Sequence, residues 1–343
     1  MHRIHPRLSV MTRRSEAAGL AVGAPGTRVR PPAEAFALVA EDMQRTEATL
    51  SELLGDTISP LDGAALYLAD AGGKRVRPLL TALGARAVGV GGDLSRLMAV
   101  GELIHLGSLL HDDVVDDAST RRGQDAAQHV YGNALVILSG DFCLAQGVLM
   151  ASEHGGHACV SGLAEAVKAM AEGEVLQLRN AGDLDTSLED YLDVIDRKSA
   201  ALIAWCASVG ARVLDDEALT ARMDAFGRAV GVAFQVTDDI LDYGGREELT
   251  GKRAGTDLKE RKLTLPLLYA MQADPGLREA LEAPDADLDE LLARVRQSGA
   301  LERAAEYAHD LVEQGIRELD GLPDTPHKAA LVDLARYLAE RVA

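Results

Sequence analysis

Two clusters of aspartates with the same spacing stand far apart in the chain. The first, DDVVD, runs from Asp112 to Asp116, and the second, DDILD, runs from Asp238 to Asp242. On a helix, residues four apart lie on one face. Each cluster therefore presents its first and last carboxylates together, while its second aspartate turns about 100° away.

Paired carboxylates of this kind require a cation if they are buried. The apolar runs LIHLGSLL and VGVAFQVT adjoin the two clusters, and burying like charges without a counter-ion is costly. Carboxylate oxygens suit Mg²⁺ better than Zn²⁺, and Mg²⁺ fills its other positions with water and phosphate oxygens. One such cluster is typical of a solvated helix face, but two in apolar surroundings predict a Mg²⁺ site.

Basic residues near the clusters could hold the phosphates of an anionic substrate. GGKRVRP supplies Lys74, Arg75 and Arg77 at a turn that leads into a helix, and it lacks the spacing of a P-loop. An exposed basic turn is the alternative for this motif. Arg121 and Arg122 follow the first cluster, and arginine fits diphosphate oxygens in bidentate geometry. Their alternative is an ion pair with the neighbouring aspartates.

Three further positions carry polar side chains in apolar surroundings. His105 lies two helical turns before Asp112 on the same face, where a lone histidine is more often a core residue. Lys198 is flanked by apolar sequence, which is costly for an unpaired lysine. Lysines also follow the second cluster in TGKRAGTDLKERKLTLP, among them Lys252 and Lys262. Together these residues predict two carboxylate faces that bind Mg²⁺ and separate cationic pockets for two phosphates.

The elements that must position these residues are helices. Apolar residues recur at three- and four-residue spacing from about residue 33 onward, and alternating strand patterns are essentially absent. Thr186 and Glu189 match a capping box, and Thr325 followed by Pro326 matches a helix start. Short breaks join the helices. The sequence therefore predicts an all-α fold, a single large antiparallel helical bundle.

Composition and charge limit the function. The net charge of −19 argues against nucleic-acid binding and against docking on anionic lipid. No apolar run approaches the ~18 residues of a membrane span, so we expect no transmembrane segment. Three cysteines without a CxxC pair are typical of buried thiols in a reducing compartment, which predicts a cytoplasmic protein.

The chain divides at about residue 33. Residues 1–32 hold six arginines among scattered glycines and prolines, which predicts a disordered basic N-terminal extension, whereas residues 33–343 form the catalytic domain. A targeting segment is an alternative for the extension. A start at Met11 or Met43 is another.

The ordered set of motifs resembles a trans-isoprenyl diphosphate synthase of the polyprenyl synthetase family, from about residue 35 to the end. The motifs that carry the resemblance are GGKRVRP, ELIHLGSLLHDDVVDDASTRRG, GEVLQL, RKSAAL, FQVTDDILDY and GKRAGTDLKERKLTLP. The resemblance implies an all-α fold around a deep central cavity, usually in a homodimer. It also implies head-to-tail condensation of isopentenyl diphosphate with an allylic diphosphate.

The resemblance also assigns roles to residues. The carboxylates that would hold two or three Mg²⁺ ions are Asp112, Asp116, Asp238 and Asp242. The positions that match those holding the allylic diphosphate are Arg121, Lys198, Gln235 and Lys252, and those that match the isopentenyl diphosphate site are Lys74, Arg77, His105 and Arg122. Ser199, where threonine is usual, and Lys262 are further substrate-binding positions. The residues expected to act in catalysis are Asp112, Asp116, Asp238, Lys198, Lys252 and Arg121. Arg246, Arg253 and Arg261 depart from the family pattern in the loop expected to close over the diphosphates.

Product length is expected to depend on a tunnel beneath the first cluster. Gly107 and Ser108, one turn before Asp112, are small, and in this family aromatic residues there stop growth early. The floor is expected deeper, with Phe142, Leu149 and Met150 as candidates. We therefore expect a polyprenyl product of about six to nine units, with geranylgeranyl diphosphate as the alternative.

Three other classes of protein are alternatives to a synthase. A noncatalytic partner subunit of a heteromeric synthase tends to lose the aspartates, which this chain keeps. A class I terpene cyclase normally carries an Asn/Ser/Glu triad as its second metal motif. A structural acidic helical protein would not need the ordered cationic motifs.

Overall fold

The structure is a computed structural model that describes residues 33–55, 59–244, 255–283 and 286–340. Helices dominate the described residues, and the only strands among them form one two-stranded ribbon. The expectation of an all-α fold is therefore confirmed. The expected extension at residues 1–32 lies outside the described residues.

The helices follow one another through mostly short connections. In chain order they are α1 (Ala33–Leu38), α2 (Ala40–Gly55), α3 (Ser59–Asp70), α4 (Val76–Ala87), α5 (Ser95–Val115), α6 (Ala127–Tyr131), α7 (Asn133–Asn180), α8 (Leu188–Ile195), a π-helical turn (Asp196–Ala200), α9 (Ala201–Val213), α10 (Glu217–Gly244), α11 (Thr256–Lys259), α12 (Leu265–Ala273), α13 (Gly276–Glu282), α14 (Leu288–Gln297), α15 (Ala300–Arg317) and α16 (Pro326–Glu340). Strands β1 (Thr120–Arg121) and β2 (Gln124–Asp125) lie between α5 and α6.

The core lies between α4, α5, α7, α9 and α10, which pack closely on one another. Every residue of α9 from Ala201 to Ala211 is buried, and Gly210 lies so close to α4 that a side chain there would meet Ala85. α5 is buried on all sides over most of its length. These helices form a continuous apolar wall, and that wall holds the polar residues described below.

The capping residues predicted from the sequence agree only in part with the structure. Thr325 Oγ1 accepts the backbone N–H of Lys328 at 3.2 Å, so it caps α16 as predicted. The capping box of α8 uses Ser187 and Asp190, one residue later than the predicted pair. The predicted pair was wrong because Ser187 offers the same hydroxyl chemistry at the next position.

The helix α7 is unusually long, and Gly156 interrupts it with φ 72° and ψ −170°. α7 is the one described helix long and apolar enough to cross a membrane by length and composition, and 39% of its most apolar window is buried. It packs on α5 and α9 and lines the central cavity with both of its halves. α7 therefore packs into the helical bundle along part of its surface and leaves an apolar face exposed.

Candidate active site

A cavity of about 910 Å³ opens between α4, α5, α7, the π-helical turn and α10. It gathers most of the residues that the sequence analysis selected, and those on its wall are Lys74, Arg77, His105, Ser108, Asp112, Arg122, Lys198, Ser199, Gln235 and Asp238. A smaller cavity of about 230 Å³ shares Lys198, Ser199 and Gln235 with it and adds Asp116 and Lys262. Residues distant in sequence thus surround one space.

Both aspartate clusters contribute carboxylates to the walls of these cavities. Asp112 from α5 and Asp238 from α10 line the large cavity, and Asp116, which ends α5, lines the small one. The pKa of Asp112 is raised to about 6, chiefly by burial; Lys198 lowers it, and Glu174 and Asp116 contribute to raising it. A carboxylate in this position is stabilised in its charged form by a nearby cation.

The fourth expected metal ligand holds a loop in this structure. The Asp242 carboxylate accepts a hydrogen bond from the backbone N–H of Asp257 at 3.0 Å. The backbone carbonyl of Asp242 accepts one from the backbone N–H of Gly255 at 2.8 Å. Burial raises the pKa of Asp242, and Asp257 adds to the shift. Asp242 therefore links α10 to the segment that carries Lys262.

The donor set fits a hard divalent cation that is shared with a substrate. Among the described residues, no group of three or more His, Cys, Asp or Glu side chains forms a closed metal cage. Mg²⁺ commonly takes one or two protein carboxylates and completes its shell with water and phosphate oxygens. The carboxylates of Asp112, Asp116 and Asp238 match that requirement.

The two arginines after the first cluster point in different directions. Arg122 and Gly123 have φ of 51° and 79° and form the turn of the β1–β2 ribbon, as in a type I′ hairpin. Arg121 Nε donates to the fully buried Asp113 at 2.5 Å, so the ion pair weighed as its alternative is present. Arg122 lines the large cavity and donates to the Leu68 carbonyl at 3.0 Å. The hairpin thus places Arg121 in an ion pair with Asp113 and Arg122 on the wall of the cavity.

A cationic pocket occupies one end of the large cavity. The buried Nε of Arg77 has no hydrogen-bond partner, and Arg122 and His105 lie beside it. Burial lowers the pKa of His105 well below its usual value, and Arg77 and Arg122 lower it further, so the imidazole is neutral at pH 7. Arg75 instead pairs with Glu47 at 2.7 Å and Glu102 at 3.3 Å. An anion entering this pocket would find donors already in place.

Lys198 and Ser199 come from the π-helical turn between α8 and α9. Such turns are frequent at functional sites because the extra residue redirects side chains. Lys198 Nζ forms a close ion pair with Glu174 Oε2 inside the cavity. Sequence reasoning missed Glu174 as a site residue, although the glutamate of GEVLQL was its signal.

A hydrogen-bonded chain runs from Ser199 into the core. Ser199 Oγ donates to Gln235 Oε1 at 2.9 Å, and Gln235 Nε2 donates to Asp239 Oδ1 at 2.9 Å. The buried Tyr191 hydroxyl donates to the other Asp239 oxygen at 2.6 Å. This chain orients the Gln235 amide, and sequence reasoning missed Tyr191 and Asp239 because neither is next to the metal face.

Lys262 lines the small cavity, and its Nζ lies 3.6 Å from Asp257 Oδ1. Burial lowers the pKa of Lys262, but Asp257 and Asp239 outweigh that effect and raise it overall. The lysine is therefore charged at neutral pH. Lys252, the other lysine expected here, lies outside the described residues, as do Arg246 and Arg253.

The cavity beside the first cluster has a different lining from that predicted for the tunnel. Ser108 lines the cavity, and its Oγ donates to the His105 carbonyl at 2.9 Å. Gly107 faces α7, where a Cβ would lie 2.9 Å from the Gly140 carbonyl oxygen. The prediction that Gly107 faces the tunnel was wrong, because Gly107 packs against Gly140 and Cys143 of α7 and does not line the cavity.

The deep wall of the cavity comes from α7 and α5. The proposed floor residues Phe142, Leu149 and Met150 are absent from that wall among the residues that the structure describes. Leu149 is 49% exposed, and Met150 is buried in the core. The apolar side chains that do line the deep part include Ile104, Leu144, Val167 and Met170. The kink at Gly156 separates Leu144 from Val167, so both halves of α7 contribute to the wall.

Comparison with known proteins identifies close structural and sequence relatives. The polyprenyl synthetase family model matches residues 59–296. Octaprenyl diphosphate synthase of Escherichia coli is 38% identical over 315 residues, which are 89% of this chain and 97% of that protein. Heptaprenyl diphosphate synthase component 2 of Geobacillus stearothermophilus is 36% identical over 315 residues, 89% of this chain and 98% of that protein. A polyprenyl synthase from Caulobacter crescentus, solved with calcium and isoprenyl diphosphate, has a TM-score of 0.86 at 35% identity and covers 93% of this chain and 100% of that one.

Proposed function

This chain belongs to the polyprenyl synthetase family, and we propose that it is a prenyltransferase that condenses isopentenyl diphosphate with an allylic diphosphate, head to tail. The product is a long-chain all-trans polyprenyl diphosphate, and diphosphate is released. One observation carries the proposal: aspartates from both clusters, a cationic pocket and an apolar wall share one cavity. The relatives that make octaprenyl and heptaprenyl chains favour the long product over geranylgeranyl diphosphate.

The two ends of the cavity suit two different diphosphates. Arg77, Arg122 and the neutral His105 offer N–H donors for isopentenyl diphosphate, with Lys74 at the rim. Lys198, Gln235 and Ser199 lie on the other side, next to the aspartates, and suit the allylic diphosphate. The bonds of Gln235 to Ser199 and Asp239 fix its side chain before any substrate arrives.

A divalent metal, which we propose to be Mg²⁺ in two or three ions, would neutralise the leaving diphosphate when held by Asp112, Asp116, Asp238 and Asp242. Lys198 adds positive charge at the same oxygens, which stabilises the departing group. Ile104, Leu144 and the other aliphatic residues of the deep wall exclude water from the resulting allylic cation. The proton lost after condensation passes to the released diphosphate, so the chain needs no nucleophile of its own.

The proposal is tested by analysing the products by mass spectrometry. Purified protein is incubated with Mg²⁺, isopentenyl diphosphate and, in turn, dimethylallyl, geranyl and farnesyl diphosphate. We expect a ladder that ends at about six to nine isoprene units and requires the metal. A ladder ending at twenty carbons would instead support a geranylgeranyl diphosphate synthase, and products without diphosphate would support a cyclase. No condensation with any primer would contradict the proposal and favour the partner-subunit alternative.

A second copy of this chain is the partner that we propose for an exposed apolar face of α7. Ile137, Leu138, Val148 and Leu149 are between 40% and 55% exposed and recur at helical spacing along one face. A stripe of this kind is typical of an interface. The alternative is a different subunit, because one relative is described as a component of its synthase.

Replacement of Leu138 and Leu149 by glutamate is expected to convert a dimer into a monomer. The new charges would be buried in the proposed apolar interface without counter-ions. Light scattering gives the mass in solution, and Leu214→Glu, at an equally exposed position outside α7, is the matched control. A wild-type protein with the mass of one chain would contradict the proposed homodimer.

The buried thiols agree with a reducing compartment. Cys143, Cys159 and Cys206 are free and buried. Burial raises the pKa of Cys143 to about 12, which leaves the thiol unreactive at neutral pH. We propose that the enzyme is cytoplasmic.

A further inference from the structure

An acidic residue stands inside the cavity where the allylic diphosphate is proposed to bind. Glu174 lines the large cavity, and its Oε2 forms a close ion pair with Lys198 Nζ. The two side chains are only 17% and 24% exposed, so water screens this pair less than one at the surface. A carboxylate beside the proposed anion site is unexpected, since it repels the ligand that Lys198 attracts.

The backbone brings these two residues together. A Cβ on Gly173, next to Glu174, would lie 2.6 Å from the Lys198 backbone nitrogen and 2.9 Å from the Arg197 Cβ, so α7 and the π-helical turn touch at this point. Gln177 Nε2 lies 3.4 Å from the other oxygen of Glu174. The ion pair is thus a consequence of close helix packing at a glycine.

The pair lies beside the first aspartate cluster. Asp112 lines the same cavity as Lys198 and Glu174. When Lys198 turns toward an anion, Glu174 is left as an unpaired carboxylate beside Asp112. That arrangement costs free energy, and the cost must reduce the affinity of the site for the anion.

We propose that Glu174 is the resident counter-ion of Lys198, which holds the lysine in the empty site, yields it to the arriving diphosphate and takes it back when diphosphate leaves. This inference rests on the proposed function. Glu174 is a positioning residue, because it acts through Lys198. A synthase that adds many units must release diphosphate after each addition, and a counter-ion that competes for Lys198 speeds that release.

The experiment compares the binding of inorganic diphosphate with Mg²⁺ to the wild-type chain and to Glu174→Gln by calorimetry. The amide keeps the shape and removes the competing charge. We expect the Kd to fall about tenfold or more, in line with the effect of removing one member of a close charge pair. Glu172→Gln is the matched control, because Glu172 also pairs with a residue of the π-helical turn, Arg197 at 2.7 Å, but lies outside the cavity wall. Its Kd is expected to equal that of the wild type.

The outcomes separate the counter-ion from a purely structural role. In a Lys198→Met background, Glu174→Gln should lower the Kd less than it does in the wild type, since competition for the lysine is gone and only the direct repulsion of the diphosphate remains. An unchanged or higher Kd for Glu174→Gln would overturn the inference, because it would show that the Glu174 charge does not oppose the binding of diphosphate. If Glu174→Gln does not fold, the experiment uses Glu174→Ala, which also removes the charge. A wild-type chain that binds no diphosphate would instead contradict the proposed function.

Discussion

Asp112→Asn is expected to lower the rate of condensation about a thousandfold or more while it makes the metal-free chain more stable at neutral pH. The rate falls because an amide oxygen is a weak ligand for a hard divalent cation and adds no negative charge. The stability rises because Asp112 is half-buried beside Asp116 and Glu174, and its charged form is disfavoured in the absence of a cation.

The sign of the pH dependence follows from the pKa of Asp112. Burial raises that pKa from 3.8 to about 6 in the folded chain. Between these values the folded state binds more protons than the unfolded state, so this group makes the free energy of unfolding fall as pH rises. Above pH 6 the loss is complete and amounts to about 3 kcal/mol. An asparagine at this position does not titrate and avoids the loss.

Thermal unfolding in a chelator at pH 5 and pH 8, with rates measured in Mg²⁺, tests both halves of this prediction. We expect Asp112→Asn to gain more at pH 8 than at pH 5. Asp117→Asn is the control, because Asp117 is exposed, lies outside both cavities and has a φ of 48° that asparagine adopts readily. An Asp112 variant that is both active and no more stable than the wild type would show that this carboxylate neither holds metal nor is strained.

Periodicity was sufficient to predict the features of the site that depend on one helix. The four-residue spacing of Asp112 and Asp116 and of Asp238 and Asp242 places each pair on one face whatever the rest of the fold does. Both first aspartates line the cavity, and so does His105, two turns before Asp112. A helix face can be read from spacing because a regular backbone alone determines it.

Features that depend on two elements could not be predicted in this way. Arg121 and Arg122 are adjacent and chemically alike, and only the hairpin decides that one meets Asp113 and the other the cavity. Glu174 meets Lys198 because Gly173 allows a close helix contact at a π-helical turn. Neither the approach of two helices nor the extra residue in a turn leaves a periodic signal in the chain.

The tunnel illustrates how a partly correct prediction leads to a discriminating experiment. Ser108 and Gly107 are both small and both precede Asp112 by about one turn, so composition treats them alike. The structure separates them, because Ser108 lines the cavity whereas Gly107 packs on α7. Their substitutions should therefore have different effects.

Ser108→Phe is expected to shorten the product to geranylgeranyl length or less. The ring would project into the cavity between Asp112 and the deep wall at Ile104 and Leu144, where the growing chain must pass. The chemistry next to the aspartates is left intact, so the rate of the first condensation should change little. Mass spectrometry of the products from a geranyl primer gives the length distribution directly.

Gly107→Ala is the matched comparison, and its expected result is different. The added Cβ would lie 2.9 Å from the Gly140 carbonyl oxygen and 3.3 Å from Cys143 Cβ, so α5 and α7 must separate. We expect a loss of stability of about 1–3 kcal/mol, as for other overpacked cores, with no change in product length. If Ser108→Phe still made the full-length polyprenyl chain, the growing product could not pass this wall of α5, and the tunnel would have to leave the cavity by another route. If Gly107→Ala shortened the product instead, the two neighbouring positions would have exchanged the roles that their contacts indicate.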